Sequence, residues 1–219
     1  MIREIKLVAR KDYLPFMLDI HYAKRIPSVS YSYGLFKNKK LEGIVSYGTP
    51  PSSTLRRGIA GDDYISDILE LNRLVLRCNH KNDSSWLIAN SLKALPRNKI
   101  IVSYADTSQD HVGYVYQATN FIYTGLSAKR TDWKVRGKEN LHSQSIIDEF
   151  RGQPNRSKLM REKYGDDFYS VDRPRKHRYI FIVGSKSYRK RALKNLKYPI
   201  VNYPKGDLNW NLESKEHMI

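Results

Sequence analysis

Cysteine is nearly absent from this sequence of 219 residues, in which Cys78 is the single one. An intrachain disulfide is therefore excluded, and so is a structural zinc site built on several thiolates. One free thiol is typical of a reducing compartment. Long apolar runs are missing as well, because no stretch approaches the roughly 18 apolar residues of a membrane span. These absences predict a cytoplasmic protein without a membrane segment.

Acidic residues are the second scarce class. Lys and Arg number 39 against 22 Asp and Glu, which gives a formal net charge of +17. Such an excess attracts polyanions over a Debye length or more. The 16 tyrosines add rings that can stack on bases and also form hydrogen bonds. Nucleic acid is therefore the leading partner. An anionic membrane surface and a solvated basic surface without a partner are the alternatives.

The hydrophobic pattern predicts one substantial core in which strands and helices alternate. The predicted elements are a strand at 2–8, a helix from Asp12, a hairpin of 31–36 and 41–48, a strand at 68–76, a helix at 86–95, a strand at 99–104, a short helix before Asn120, a strand after it, short helices near 145–150 and 157–164, and a strand at 178–184. Residues 49–64, which are rich in Pro, Ser, Gly and Arg, predict a loop.

Basic residues are concentrated between the last two predicted strands. We therefore divide the chain into a core at 1–125, a basic insertion at 126–177 and a final core strand with a basic tail at 178–219. The insertion is expected to act as a DNA-binding arm. Beyond Lys197 the tail is expected to be poorly ordered.

Residues 99–125 combine a β-branched strand, a polar loop and a short helix that ends before a second strand. Tyr116 lies on that helix, four residues before the Asn120-Phe121 pair. This arrangement resembles the second half of the core of the GNAT acyltransferase superfamily. The resemblance implies an α/β (α+β) fold, with a mixed central sheet flanked by helices and a basic insertion between the last core strands. It also implies a cleft where two parallel strands splay apart, near 74–77 and 103–106.

Two polar side chains are placed at this cleft by the predicted elements. Asp106 ends its strand, where a carboxylate can accept a proton, orient an amine or bind a metal; capping of the next helix is the alternative. Tyr116 occupies the position from which GNAT enzymes, by the resemblance, donate a proton to a leaving thiolate. Core packing against Phe121 is the alternative.

The segment before the helix at 86–95 contains no glycine. In the GNAT superfamily a basic, glycine-rich turn at this place cradles the cofactor pyrophosphate, because glycine permits a close backbone approach. Here Arg77, Ser84 and Ser85 are the candidate anion ligands at the helix start. The resemblance implies acetyl-CoA as a donor, whereas the missing glycine argues against the usual cradle.

Five short segments carry a narrower resemblance. They are His21-Tyr22-Ala23-Lys24-Arg25, Glu70-Leu71-Asn72-Arg73-Leu74, Ser84-Ser85-Trp86-Leu87-Ile88, Ser103-Tyr104-Ala105-Asp106 and Tyr116-Gln117-Ala118-Thr119-Asn120-Phe121. Together they resemble the Mom family of bacteriophage DNA-modification proteins, which is a divergent GNAT branch. The resemblance covers residues 15–135 and extends more loosely over the insertion and the last strand.

The resemblance implies an enzyme that adds a carbamoylmethyl group to N6 of adenine in DNA, within the bacterial host cell, and so protects phage DNA from restriction. The residues that it implicates in catalysis are His21, Tyr22, Asp106 and Tyr116, and those on the cofactor side are Arg73, Arg77, Ser84, Ser85 and Ser91. The donor stays open between acetyl-CoA and another acyl or glycyl-type group. An iron ion held by His21 and Asp106 is a further candidate.

Adenine N6 lies at the base-pairing edge, so the target base in double-stranded DNA is expected to be flipped out of the stack. Tyr33, Tyr47 and Trp133 are candidate stacking surfaces, although ordinary burial explains each of them alone. The candidate phosphate ligands in the insertion are Lys129, Arg130, Lys134, Arg136 and Lys138.

Two other functions stay open at this point. A GNAT N-acetyltransferase that acts on a small-molecule or protein amine would be expected to carry a glycine-bearing pyrophosphate turn, which the sequence lacks. A non-catalytic DNA-binding protein would leave the cleft residues dispensable.

Overall fold

The computed structural model describes residues 2–78, 80–141, 143–205 and 216–218. These residues form two compact units. The core unit consists of residues 2–105, 112–125 and 177–205, and the insertion unit of residues 106–111, 126–176 and 216–218. Among the helices described, none has the length and apolar character needed to cross a lipid bilayer.

A seven-stranded mixed sheet forms the centre of the core unit. Its strands are β1 (Arg3–Leu7), β2 (Tyr31–Lys37), β3 (Lys40–Gly48), β4 (Ile68–Leu76), β5 (Lys99–Asp106), β6 (Ile122–Leu126) and β9 (Lys176–Val183). The spatial order is β1-β2-β3-β4-β5-β9-β6, so β9 lies between β5 and β6. Strands β1 to β4 pair antiparallel, whereas β4 and β5 are parallel.

Strands β4 and β5 separate along their length. Their ladder pairs residues 68–70 with 100–102, although β4 continues to Leu76 and β5 to Asp106. Within the described residues, the carboxyl halves of the two strands therefore lack a shared ladder. This is the splay that the sequence predicts, and we call the region between the two carboxyl halves the cleft.

Helices cover both faces of the sheet. Those of the core unit are α1 (Arg10–Pro15), α2 (Ser53–Ala60), α3 (Asp83–Ala94), α4 (Tyr114–Gln117) and α7 (Lys186–Asn195). On β5, Ile101 packs in one cluster with Leu87 of α3, whereas Ile100 packs in another with Ile59 of α2 and Ala192 of α7. The continuous apolar run of β5 follows from this burial on both faces. The predicted fold class, a mixed sheet flanked by helices, is confirmed.

Two predictions about local structure were wrong. The stretch 49–64 is not all loop, because Ser52 caps α2 by accepting a hydrogen bond from the Leu55 N–H at 3.2 Å. Of the tail beyond Lys197, residues 206–215 and 219 lie outside the described part of the chain, whereas residues 198–205, which were expected to be poorly ordered, are held within the core unit. There the Tyr203 hydroxyl donates to the Phe121 carbonyl at 2.7 Å, and the Val201 N–H donates to the Tyr123 carbonyl at 3.1 Å.

The insertion unit has its own small sheet and core. Strands β7 (Thr131–Val135), β8 (Phe168–Asp172) and β10 (Glu216–Met218) pair in the order β10-β8-β7, and the helices are α5 (Ser143–Asp148) and α6 (Arg156–Tyr164). The two helices match the predicted ones, whereas the strands were not predicted. Its apolar core consists of the buried side chains Val135, Ile146, Met160 and Phe168.

Candidate active site

The cleft between β4 and β5 is lined by a short chain of hydroxyl groups. The Ser103 hydroxyl of β5 donates to the Leu71 carbonyl of β4 at 3.0 Å, in the region where the ladder has ended. The Ser103 hydroxyl also lies close enough to the Tyr116 hydroxyl of α4 to lower the pKa of that phenol.

Tyr116 is buried, and its ring lies between Phe121 and Tyr179, with centroids at 5.4 and 5.2 Å. Burial raises the pKa of the Tyr116 hydroxyl, and so do the charges that Tyr22 and Glu70 carry when deprotonated. The Ser103 hydroxyl lowers this pKa. The phenol is therefore protonated at neutral pH. Of the two alternatives that the sequence analysis offered, the structure shows the core packing against Phe121, and proton donation by the hydroxyl stays a prediction.

His21 follows the π-helical turn Phe16–Ile20, which continues α1. Burial, and to a smaller extent the nearby Arg73 charge, lower the pKa of its imidazole to about 4. The ring is therefore neutral at pH 7. Its Nδ1 accepts a hydrogen bond from the Ala23 N–H at 3.1 Å, so the proton of the neutral ring lies on Nε2. His21 is thus equipped to donate a hydrogen bond from Nε2.

The segment after this turn is tied to β4 and β3. We call residues 18–30 the rim segment. Arg73 of β4 donates to the Arg25 carbonyl at 3.0 Å, and the Asn72 amide donates to the Ser28 carbonyl at 2.7 Å. Gly48 of β3 leaves room for the segment, because a Cβ there would lie 1.8 Å from the Ser28 oxygen. These bonds hold His21 and Tyr22 at the edge of the cleft.

Arg73 is half-buried, and burial lowers the pKa of its guanidinium, although the charges of Tyr22 and Glu70 act in the opposite direction. Its Nε is buried and makes no hydrogen bond among the described residues. Arg73, His21, Tyr22, Glu70 and Tyr116 all belong to the core unit. Arg73 lowers the pKa of His21, and Tyr22 and Glu70 raise the pKa values of Arg73 and Tyr116. Four of these five were identified from the sequence.

The sequence analysis did not single out Glu70, which belongs to this group, or Ser103, which lies beside Tyr116. Both lie within segments that carry the family resemblance. The available signal was a polar residue within an otherwise apolar strand pattern, since Ser103 is completely buried and Glu70 is half-buried. Such a position costs free energy unless the side chain is hydrogen-bonded.

Ser91, Tyr33 and Tyr47 do not line an open surface, which corrects the expectation for all three. Tyr47 and Ser91 are fully buried and hydrogen-bonded to each other at 2.6 Å, and Ser91 donates to the Ile88 carbonyl at 2.9 Å. Tyr33 is 5% exposed and donates to the Ala94 carbonyl at 2.9 Å. Packing of α3 against β2 and β3 covers them. Neither tyrosine ring is open to a base, and Ser91 is closed to a cofactor.

Asp106 belongs to the insertion unit, where it forms the cap that the sequence analysis named as its alternative role. Its carboxylate accepts from the Ser108 N–H at 3.0 Å and from the Ser108 hydroxyl at 2.7 Å. Lys176 forms an ion pair with it at 2.9 Å. Burial raises the pKa of Asp106, but the bonds from Lys176 and Ser108 outweigh burial and leave the pKa below its ordinary value. The carboxylate is ionised and paired.

The start of α3 does not fit a pyrophosphate group. Asp83 in its first turn is 1% exposed and forms ion pairs with Lys37 and, at 3.0 Å, with Arg3. A carboxylate therefore already occupies the place where a helix start attracts an anion.

The expected anion ligands near this helix start have other partners. Arg77 lies over the Phe16 ring at 4.6 Å and donates to the Leu41 carbonyl at 3.3 Å. The Ser85 hydroxyl donates to the Asn82 carbonyl at 3.2 Å. Ser84 is half-buried in the first turn of the helix.

No group of three His, Cys, Asp or Glu side chains that could hold a metal ion occurs in the described parts of the chain. The expectation of an iron ion at His21 and Asp106 therefore gains no support. His21 already uses Nδ1 for Ala23, and Asp106 is paired with Lys176.

Some of the basic residues expected to bind DNA are exposed in the insertion unit, and others contact a neighbouring aromatic side chain of the same unit. Lys129 and Arg130 are exposed, and Lys134 is half-buried. Arg136 lies over the Tyr169 ring at 5.0 Å, and Lys138 donates to the Tyr164 hydroxyl at 2.8 Å.

Trp133 packs edge-on against Phe168, with centroids at 5.2 Å, and borders the small core of the insertion unit. Trp133 is half-buried, so its packing role is shown, and stacking of its ring on an extruded base stays a prediction.

Comparison with known proteins defines the family. A sequence model of the Mom protein family matches residues 3–205. The methylcarbamoylase mom of Escherichia phage Mu is 29% identical over 124 residues, which is 54% of this chain and 51% of the phage Mu protein. The match thus spans about half the length of that curated relative.

Solved structures of acetyltransferases are similar at low sequence identity. The ribosomal-protein-S18-alanine N-acetyltransferase of Escherichia coli has a TM-score of 0.46 and 10% identity, over 84% of this chain and 96% of that one. A GNAT family acetyltransferase of Elizabethkingia anophelis with acetyl-CoA bound has a TM-score of 0.44 and 12% identity, over 83% and 98%. Since the family match covers nearly the whole sequence, the chain belongs to the Mom protein family.

Proposed function

We propose that this chain is a DNA-modifying transferase that adds a carbamoylmethyl group to N6 of adenine. Family membership and the name of the phage Mu relative, a methylcarbamoylase, support the reaction class. The formal charge of +17 suits a nucleic acid substrate. Double-stranded DNA with the target adenine turned out of the stack is the proposed substrate form, because N6 is otherwise engaged in base pairing.

The observation that carries this proposal is the buried Tyr116 beside Ser103 at the splay of β4 and β5, where Tyr22 and Glu70 also act on the pKa of its hydroxyl. In the transfer, N6 attacks the reacting carbon of the donor, the N–C bond forms and the bond from that carbon to the leaving group breaks. Tyr116 gives its proton to the leaving group. The Ser103 hydroxyl then turns from Leu71 to the phenolate, as expected of the bond that lowers the pKa of Tyr116.

The other polar groups have distinct tasks in this proposal. N6 of adenine is a poor nucleophile because its lone pair is delocalised, and it must lose a proton as the new bond forms. Glu70, whose charge acts on both Tyr116 and Arg73, is the proposed acceptor of that proton. The His21 Nε2–H is directed to a carbonyl oxygen of the donor, and Arg73 stabilises negative charge that develops there.

The donor is proposed to be an activated acetamide-type group whose methylene carbon carries the leaving group. Attack of N6 at that carbon gives the carbamoylmethyl product and releases the leaving group, which Tyr116 protonates. The Elizabethkingia anophelis enzyme contains acetyl-CoA, but transfer of an acyl group to N6 would give N6-acyladenine, which the mass of the modified nucleoside distinguishes from the carbamoylmethyl derivative.

The test is mass spectrometry of nucleosides from the DNA of cells that express the chain. Wild type is expected to yield adenine with the mass of the carbamoylmethyl derivative. Tyr116→Phe, which removes only the acid, is expected to lower the yield by about 100-fold or more. Tyr123→Phe is the matched control, because its buried hydroxyl binds His177 at 2.7 Å outside this group.

Unmodified adenine from folded wild-type protein would refute the proposal. Modified adenine at the wild-type level from Tyr116→Phe would remove Tyr116 from the reaction. Acetylation of a protein or small-molecule amine without DNA modification would instead support the N-acetyltransferase alternative.

A further inference from the structure

The rim segment presents an aromatic face that the transfer reaction leaves unused. The Tyr22 ring stacks on the His21 ring, with centroids 4.4 Å apart and planes 28° apart. The Tyr22 side chain is nevertheless 64% exposed. Since His21 covers one face, the exposed area belongs to the opposite face and the ring edge. We propose that this open face of Tyr22 is the platform on which the target base stacks after it has left the duplex.

The proposal rests on the proposed function, because it assumes that the substrate is a base in DNA. Beyond the proposed function, it identifies Tyr22 as the residue on which this base stacks. Base–aromatic stacking needs only a π-face and is tolerant of base identity. A platform that is already stacked on a second ring is also held in one orientation before the base arrives, which reduces the ordering cost of binding.

The platform is fixed in place by buried contacts. Phe16 and Met17 of the preceding π-helical turn are 1% and 0% exposed and pack with Ile44 and Val75 of the sheet. On its other side, the rim segment is held by the bond from Arg73 to the Arg25 carbonyl. Tyr22 is therefore an exposed ring on an anchored backbone.

The surroundings of Tyr22 suit a nucleic acid strand. Leu18, Ile20 and Ile26 of the rim segment are 36–40% exposed and offer apolar contact to neighbouring bases and sugars. Lys24 and Arg25 follow Tyr22 and are exposed, so they can meet the flanking phosphates. Asp19 is the acidic residue of the segment, and it precedes His21.

The location also suits the reaction. Arg73, which lies on β4 beyond the end of its ladder with β5, donates to the Arg25 carbonyl three residues after Tyr22. Tyr22 also acts on the pKa of Arg73 and on that of Tyr116, as a neighbouring group does. A base stacked on Tyr22 therefore lies at the mouth of the cleft that contains the proposed proton donor. Such positioning of the nucleophile is a large part of what a transferase supplies.

The experiment measures affinity without chemistry, using two duplexes that differ in one base. The first carries a single bulged adenine, and the second carries an abasic site in the bulge. Phosphate contacts are the same in both, so they cancel in the ratio. Wild type is expected to bind the bulged adenine about tenfold more tightly, as one stacked base contributes.

Tyr22→Leu is expected to abolish this preference, and Tyr22→Phe to retain it. Tyr114→Leu is the matched control, because Tyr114 is also 64% exposed and lies in the same unit, on α4. An unchanged thermal midpoint checks that each variant is folded. Equal affinity of wild type for the two duplexes would overturn the proposal, and so would a preference retained by Tyr22→Leu.

The outcome separates this proposal from the proposed function. If wild type shows the preference but DNA from expressing cells is unmodified, the transfer reaction is refuted and the platform stands. If DNA is modified and Tyr22→Leu keeps both the preference and the yield, the platform is refuted and the transfer reaction stands.

Discussion

At the scale of single residues, the environment of His21 determines what its imidazole can do. Its pKa lies at about 4 instead of 6.5, because burial and then Arg73 disfavour the charged ring. With Nδ1 held by Ala23, the neutral ring is a donor at Nε2. A histidine in this state can donate a hydrogen bond from Nε2 across the whole neutral pH range, which is the role that the proposed reaction gives it.

We predict that His21 titrates with a midpoint at about 4, measured by proton–nitrogen NMR of the histidine rings. The His21→Gln variant assigns its signals. In the unfolded chain the ring takes up a proton near pH 6.5. Acidification from pH 7 to 4 should therefore lower the unfolding free energy of wild type relative to His21→Gln, and the two should change in parallel above pH 7. A His21 midpoint near 6.5 would contradict the prediction.

The sequence was informative for residues whose role follows from a local motif. Tyr116, Arg73 and the His21-Tyr22 pair lie in segments that resemble the family, and the structure places them within one group. Tyr47 was misjudged because its burial depends on packing against Ser91, 44 residues away. Long-range packing of this kind has no local signature in a sequence.

At the scale of elements, Gly48 illustrates how one strand residue controls a neighbouring segment. It ends β3, and a Cβ at this position would lie 1.8 Å from the Ser28 carbonyl oxygen. A backbone atom cannot rotate away as a side chain can, so the rim segment must shift to admit a methyl group. Glycine at this position thus permits the close approach that brings His21 and Tyr22 to the cleft.

We predict that Gly48→Ala destabilises the protein by about 1–3 kcal/mol and increases hydrogen exchange of peptides from the rim segment. The yield of modified adenine should fall as well. The matched control is Gly58→Ala on α2, where the added methyl group meets only the end of the Tyr198 side chain at 3.0 Å. Alanine is favoured there by helix propensity. Unchanged exchange of the rim segment in Gly48→Ala would refute this account.

Most elements of the core unit were predictable, because periodicity and turn residues agree in them. Helix α2 was not predictable in this way, because Pro50, Pro51 and Gly58 suggested a loop although Ser52 is a good N-cap residue. Strands β7 and β8 were also missed. Each has only five residues in a basic stretch, and they are stabilised by pairing with each other although a long segment with two helices separates them in sequence.

At the scale of the whole molecule, excess positive charge extends to both units. In the insertion unit, Lys129, Arg130 and Lys134 lie on or before β7. In the core unit, α7 exposes Arg189, Lys190 and Lys194 on the side opposite its buried Tyr188 and Ala192. Both units therefore attract a polyanion. The net charge does not determine which of them contacts the phosphates.

We predict that replacing Lys129, Arg130 and Lys134 with glutamine weakens duplex binding equally for all sequences. The slope of log affinity against log salt concentration should decrease by about 0.9 for each phosphate that the variant no longer neutralises. Fluorescence anisotropy over a salt series measures both quantities. The matched control, Arg189, Lys190 and Lys194 to glutamine, changes the net charge by the same amount. A parental slope in the first triple variant and a reduced slope in the second would place the DNA-binding surface on α7.

The position of β9 between β5 and β6 has a consequence for the order of folding. During synthesis β5 and β6 are complete long before residues 176–183 emerge, so both strands wait with unpaired edges. Strand β9 contributes Tyr179, whose hydroxyl donates to the Val112 carbonyl. The Tyr179 ring packs against Tyr116 and leaves no space for a Cβ at Gly113. The pairing is non-local, which makes this step slow. The nascent chain therefore acquires a positioned Tyr116 only after the insertion has been synthesised, and a ribosome-bound fragment ending before β9 remains inactive.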